Sequence, residues 1–578
     1  MVATTNSEST RFDTQSSQLP EIETDVLIVG AGVSGLSFAA MLAALNVKVF
    51  AIAKHSGTAP APRAHVTNQR TMEIFRDMGI EELIQAAGTC MPEIGNMVMA
   101  TSLTGMEIGR YGCYGGGDHQ LTDFAKASPS KMWNTPQNNM EPILLHRARE
   151  KGADIRFYHE LVDIQQSDEG VVARVRERTS QGEYIVRARY AVGADGARST
   201  VAQKIGFGFV GGARTYAYDN PVMRTGLVRE PVSSRSPGTS GLSIDSTTPL
   251  TGEPDMSDEA IIAHARSALA IPDSLPIRVK HKGKWQVNHV VATEYRHGRI
   301  FLSGDAAHRH PPASGLGSNT CVQDAYNLSW KLAAVIKGQA GEGILESYNQ
   351  ERQPIGKQIV DHAIETLHDM ALLPGALGFE RGQSRDDGFA KLEELFSDAD
   401  GASERREFLR KTINRGNRRS NPLGVHLGHR YANSVAVADD GTPFPEYERD
   451  PVLFYHPTTH PGAYIPHAWI ELNKKRISVL DIFEHGSFGL VVGIGGKPWE
   501  EAAAVVSKEL GVKLPVYFVG QGCTYADVLA EWTDRREISD RGALLVRPDR
   551  HIGWRSFDRP QDPTATLRSA LRQVLSRK

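Results

Sequence analysis

The stretch from Asp25 to Ala53, DVLIVGAGVSGLSFAAMLAALNVKVFAIA, constrains the fold more than any other part of the chain. An apolar run ends in a turn with glycines at 30, 32 and 35, a helical run follows, and a second apolar run closes a strand–helix–strand unit. Gly30, Gly32 and Gly35 let the backbone turn tightly and bring its N–H groups against a pyrophosphate, which the positive end of the next helix also favours. A glycine turn in an ordinary α/β unit has the same local pattern, and it is the flanking strands and helix that favour a dinucleotide site. At the end of the second strand, where an acid ordinarily binds the adenosine ribose, the chain reads FAIAK, with Ala53 in the acid's place. Lys54 is either a phosphate or ribose contact or a solvated strand-end lysine.

Two later segments carry related signals. In YAVGADGARSTVAQKIG, Asp195, Gly196 and Arg198 follow a strand and precede a helix. In GRIFLSGDAAHRHPPASGLGSNT, Gly304 and Asp305 close a strand, and Gly315, Leu316 and Gly317 stand just before a long helix from about Ser318 to Ile336. A carboxylate at 305 can accept from ribitol hydroxyls, and the helix N-terminus can set N–H groups against the N1–C2=O edge of an isoalloxazine. His308 and His310 supply two ligands without an evident third, so no metal is expected.

At about 150 residues per domain, 578 residues imply three or four domains. The expected fold class is α/β: a Rossmann-type nucleotide domain interleaved with a β-sheet substrate domain, followed by a C-terminal α/β domain. Residues 1–23, rich in Ser and Thr, read as a disordered tail. Residues 24–375 form the nucleotide domain, with the substrate domain inserted at about 100–130 and 207–297. Residues 376–424 are a charged helical connector, and 425–578 the last domain, with strands in ISVLDIF, FGLVVGI, LPVYFVG and ALLVRP. Residues 68–88 read as helix, 100–135 as irregular, and Ile155–Val192 as a β-meander with a turn at Asp168–Gly170. Between Gly211 and Asp255 only YAYD and VMRTGLV read as strand. A formal net charge of -3 and the lack of a basic stripe beside Trp133, Trp285 and Trp330 argue against nucleic acid. No apolar run reaches the ~20 residues that span a bilayer, so no membrane partner is expected. Cys90, Cys113, Cys321 and Cys523 lie far apart without a CxxC pair, which fits a reducing, cytoplasmic setting.

The signals at Gly30, Asp195 and Asp305, in this order, resemble the group A FAD-dependent aromatic hydroxylases. The stretches TAPAPRAHVTNQRTMEIFRDMGIEE, GDAAHRHPPASGLGSNT and LVRPDRHIGWR are most similar to the phenol and chlorophenol hydroxylase branch. The resemblance implies FAD and NAD(P)H as cofactors, O2 as co-substrate, and a small phenolic or polyketide-derived aromatic substrate hydroxylated through a flavin C4a-hydroperoxide. It implies that Gly30, Gly32 and Gly35 wrap the FAD pyrophosphate, that Arg63 and Gln137 lie at the cofactor, and that Asp195 and Gly196 serve FAD and NAD(P)H. Asp305 would take the ribitol, Gly315, Leu316 and Gly317 the pyrimidine edge, and Pro312 the face that meets oxygen. The C-terminal domain would be thioredoxin-like without redox cysteines, its role packing and support of a homodimer.

A phenolate is a far better nucleophile than a phenol with a pKa near ~10, so a base is worth seeking. The phenol hydroxylases carry an acid two residues after the position of Arg63, and this chain has His65 there. Imidazole, with an ordinary pKa near ~6.5, can accept that proton; the alternative is a packing or cofactor-shell role, and His289 is a second, weaker candidate. The scarcity of strand pattern in 208–256 leaves open a remodelled, more open pocket or a defective gene model. A flavin oxidase or dehydrogenase, and a non-catalytic flavin-binding protein, are the competing readings.

Overall fold

The computed structural model describes residues 19–577 apart from 103, 117, 213–221, 230–239, 248–254, 256, 271, 280–281, 284–287 and 381. Most of the N-terminal tail, the YAYD stretch and Trp285 therefore lie outside the described residues. The first strand is Glu21–Val29, three residues earlier than hydrophobicity alone marks, because Glu21 also pairs across the sheet, with its carboxylate on Arg187 at 3.0 Å.

Among the described residues the main sheet has eight strands. At its centre Ile300–Leu302, Glu183–Gly193, Glu21–Val29, Val49–Ala53 and Asp154–Phe157 lie side by side and parallel. These strands read as near-continuous apolar runs because helices cover the sheet. Helix Val33–Ala44 is buried along almost its whole length and packs on helices Gln137–Glu150 and Gly317–Ile336. The expected meander is present as His159–Gln166, Val171–Glu177 and Glu183–Gly193, but its last strand also joins the parallel sheet beside Glu21–Val29.

Three expectations need correction. Residues 68–88 form two helices, Gln69–Asp77 and Glu81–Ala86, split at Gly79, whose φ of 70° breaks the first. The stretch read as irregular holds a hairpin, Asn96–Ala100 with Glu107–Gly112, and helix Asp118–Ala127. Beyond Val222–Arg229, the Ser/Thr-rich Ser240–Thr247 is also a strand, paired antiparallel with it over eight residues. Leu242 and Ile244 alternate with small polar residues there, a weak signal amid Gly, Ser and Pro.

The C-terminal sheet has seven strands among the described residues, ordered Lys475–Ser478, Trp469–Leu472, Tyr525–Ala526, Val516–Gly520, Gly489–Val492, Ala543–Val546 and Ile552–Ser556. Helices Lys497–Leu510 and Pro563–Val574 pack together on it. A fully buried ion network joins this unit to the nucleotide half. Glu351 receives Lys331 Nζ at 2.5 Å and Arg547 NH1 at 2.6 Å, and Arg547 NH2 donates to Asp549 at 2.6 Å. Burial alone would raise the pKa of Glu351, but Arg547 and Lys331 outweigh it and hold the carboxyl at about 2. Replacing Arg547 by Met leaves Glu351 and Asp549 short of their shared counter-charge. We predict a loss of ~3–5 kcal/mol in denaturant unfolding; a change near zero would show that the network contributes nothing to cohesion.

Candidate active site

The parallel register carries the three sequence signals to one edge. Val29 pairs with Gly193 and Ile52, and Gly193 with Leu302, so the turns after all four strands emerge side by side. Gly30 has φ 110°, and a Cβ there would stand 2.1 Å from Ala194 O. A Cβ on Gly35 would meet Gly30 O at 1.9 Å, so helix and strand can approach this closely only without side chains. A Cβ on Gly32 would meet only Glu141 Oε1, at an ordinary contact distance of 3.7 Å. Helix Val33–Ala44 begins there with no side-chain cap and no acid in its first turn. The Val33 N–H is taken by Glu141, and the next N–H groups of the turn are left without a side-chain cap.

Glu141 is the acid of a Gln-x-x-x-Glu helix to which the sequence reading gave no role of its own. It is buried beneath the turn, accepts Ala59 N–H at 2.6 Å and Gln137 Nε2 at 2.6 Å, and burial raises its pKa. It thereby ties the 58–63 loop, which carries Arg63, to the glycine turn. The i, i+4 spacing of Gln137 and Glu141 was the available signal. Gln137 N–H donates to Ala64 O at 2.7 Å, and Arg63 is exposed at the same edge.

Asp195 is turned inward. Its carboxylate accepts Ser199 Oγ at 2.5 Å and Thr200 N–H at 2.6 Å, starting helix Thr200–Ile205, and burial raises its pKa. What it offers the edge is the backbone of Gly196, at φ 80° with nothing within 4 Å of a Cβ. Asp305, by contrast, is exposed. The turn before it is held from behind: Asp324 Oδ2 accepts Gly304 N–H at 3.2 Å and lies 3.1 Å from His308 Nε2, while its Oδ1 accepts Arg352 Nε at 2.8 Å. His308 is thus a buried structural partner, and no metal is needed to explain it.

Pro312 is exposed, and Ala313–Gly315 form one turn of 3-10 helix before Gly317–Ile336, which also lacks a side-chain cap. Asn319 fixes this loop to the other wall, donating to Val66 O at 2.9 Å and Gly315 O at 2.6 Å while accepting Asn68 N–H at 2.9 Å. His65, one residue before Val66, is therefore beside the Gly315–Gly317 loop. It is exposed, and its Nδ1 lies 2.9 Å from Asn134 Oδ1. His289 lies elsewhere in the site's framework, with Nε2 3.0 Å from Asp361.

Two uncapped helix N-termini, a glycine cradle that a Cβ would fill, and an exposed carboxylate at 305 along one edge are the donor and acceptor set that a flavin dinucleotide needs. The residues fit FAD. Comparison with known proteins agrees: the model described as "FAD binding domain" matches residues 23–363, and "Aromatic-ring hydroxylase, C-terminal" matches 458–577. The chain belongs to the FAD-dependent aromatic-ring hydroxylases. It is 37% identical to 2,4-dichlorophenol 6-monooxygenase of Delftia acidovorans, across 96% of this chain and 98% of that protein. It is 36% identical to phenol 2-monooxygenase of Pseudomonas sp. (strain EST1001), across 94% of this chain and 92% of that one. Among solved structures, the flavin-dependent monooxygenase PieE in complex with FAD and substrate superposes with a TM-score of 0.90 at 36% identity, covering 97% of this chain and 100% of that one. The chain is an FAD-dependent aromatic monooxygenase, and NAD(P)H is the family's usual reductant.

Asp305→Ala should weaken FAD binding about tenfold or more, the worth of one hydrogen bond to a charged group, while the apoprotein's melting temperature stays within ~2 °C of wild type. Fluorescence titration of the apoprotein with FAD measures the first and calorimetry the second. Unchanged FAD affinity would remove Asp305 from the cofactor site.

Proposed function

We propose that this enzyme hydroxylates a phenol or a polyketide-derived phenolic ring, and that His65 receives the phenolic proton. The observation that carries the reading is the shared edge of the Gly30, Asp195 and Asp305 turns, with His65 fixed beside the Gly315–Gly317 loop by Val66 and Asn319. Relatives that act on dichlorophenol and phenol, and a putative polyketide hydroxylase of Streptomyces halstedii 34% identical over 95% of this chain, support the substrate class.

When bound, FAD supplies hydride acceptance and the activation of O2. The cradle residues hold it: Gly30, Gly32 and Gly35 at the pyrophosphate, Arg63 and Gln137 beside them, Gly196 and Asp305 along the sugar alcohol, and Gly315, Leu316 and Gly317 at the pyrimidine edge, with Pro312 bordering the reacting face. Asn134 Oδ1 can only accept, so His65 holds its proton on Nδ1 and leaves the Nε2 lone pair free to accept another. Val66, the next residue, belongs to an apolar cluster with Met91, Phe124, Met132, Leu423 and Leu427, which anchors the backbone that carries His65.

The same reading extends to the C-terminal unit, which we take as thioredoxin-like. Gly489–Val492 and Val516–Gly520 run parallel around helix Lys497–Leu510, Ala543–Val546 and Ile552–Ser556 add an antiparallel pair, and Pro563–Val574 closes the unit. Cys523 is the single cysteine in residues 425–578, so no dithiol chemistry accompanies that topology.

A panel of simple phenols, polyketide phenols and hydroxybenzoates tests the substrate class: some should stimulate NAD(P)H consumption, and stimulation by none would overturn it. His65→Gln should bind FAD as wild type does yet hydroxylate ~100-fold more slowly at neutral pH. Its rate should recover as pH approaches the phenol's own pKa, and the hydrogen peroxide released per NAD(P)H should rise. Unchanged rate and coupling would assign His65 to packing; loss of FAD would assign it to the cofactor shell.

A further inference from the structure

The adenosine end of the cradle has the wrong charge for an ordinary ribose contact. Strand Val49–Ala53 ends level with the glycine turn, Gly30 N–H donating to Ile52 O at 2.8 Å, and Ala53 presents only a buried methyl where an acceptor would stand. The next two residues, Lys54 and His55, are exposed on a backbone that neighbouring elements hold. Arg178 NH1 donates to Lys54 O at 2.7 Å and Tyr158 N–H to His55 O at 3.0 Å. Arg178 faces Glu160 on its other side, at 3.4 Å. The charged groups that act on the His55 imidazole are Lys54, Arg63 and Arg178, all cations, and together with burial, the largest cause, they lower its pKa. Glu141, the nearest carboxylate to the glycine turn, is committed beneath it to Ala59 N–H and Gln137 Nε2.

A carboxylate at this strand end accepts from the ribose 2′-hydroxyl and repels a 2′-phosphate, whereas cations there favour the phosphate. We propose that Lys54, Arg63 and Arg178, gathered around His55, form a cationic adenosine subsite that prefers a 2′-phosphorylated adenosine. A nucleotide of that class then competes with FAD for the apoprotein. The inference rests on the FAD reading of the cradle.

The test uses apoprotein stripped of FAD and titrated calorimetrically with 5′-ADP and with 2′,5′-ADP, with FAD uptake followed in parallel by quenching of flavin fluorescence. The 2′-phosphate should tighten binding about tenfold, an advantage that shrinks with salt, and 2′,5′-ADP should compete with FAD. Ala53→Glu should reverse the order of the two nucleotides while FAD binds as tightly as before or more tightly. An apoprotein that takes up FAD but binds 5′-ADP as well as 2′,5′-ADP overturns the inference alone. So does a 2′-phosphate preference undiminished with FAD in place, which would assign the phosphate to the reductant's own seat. An apoprotein that takes up no FAD overturns the cofactor reading and the inference with it.

Discussion

The buried charges along helices Gly317–Ile336 and Glu346–Ala371 are the constraint on which the rest of this molecule depends. Asp324, Lys331, Glu351, Arg352, Arg547 and Asp549 are all essentially without solvent contact. Three acids and three bases cancel, but each carries a desolvation cost of several kcal/mol that only close, multiply bonded partners offset. Pairing all six at once leaves little freedom in how the two helices and the segment Arg547–Asp549 meet. Asp324 extends this rigidity to the site, because the same carboxylate that holds Arg352 also holds Gly304 N–H and His308, directly around Asp305.

On that frame the chemistry is a matter of register. Parallel pairing sets Val29, Ile52, Gly193 and Leu302 abreast, so turns distant in sequence, such as those at Gly30, Asp195 and Asp305, open onto one edge. Asn319 and Glu141 then fix the two loops that fold over it, one carrying His65 and Val66, the other Arg63. Asn319 does so with hydrogen bonds to both Val66 and Asn68, and Glu141 with one to Ala59, which holds the backbone more precisely than packing alone.

Much of this was legible in the sequence, for physical reasons that differ by element. The glycine turn declares itself because only glycine survives contacts of about 2 Å at positions 30 and 35, and the flanking apolar runs are long. Asp305 and Gly315–Gly317 follow from strand and helix patterning of the same strength. Asp195 was legible as a motif but not as a helix cap, since a carboxylate's direction depends on tertiary context. Ser240–Thr247 escaped because its short alternation, Leu242 and Ile244 alone, is lost among the small and polar residues around it. The ion network was invisible: Glu351 and Arg547 are separated by 196 residues, and nothing local distinguishes a buried charge from a solvated one.

This architecture inserts one atom of O2 into an aromatic ring. Turnover under ¹⁸O2, with the product examined by mass spectrometry, should give one ¹⁸O per hydroxylated product with NAD(P)H consumed in step. Product oxygen drawn from water, or substrate oxidised with no oxygen gained, would contradict it.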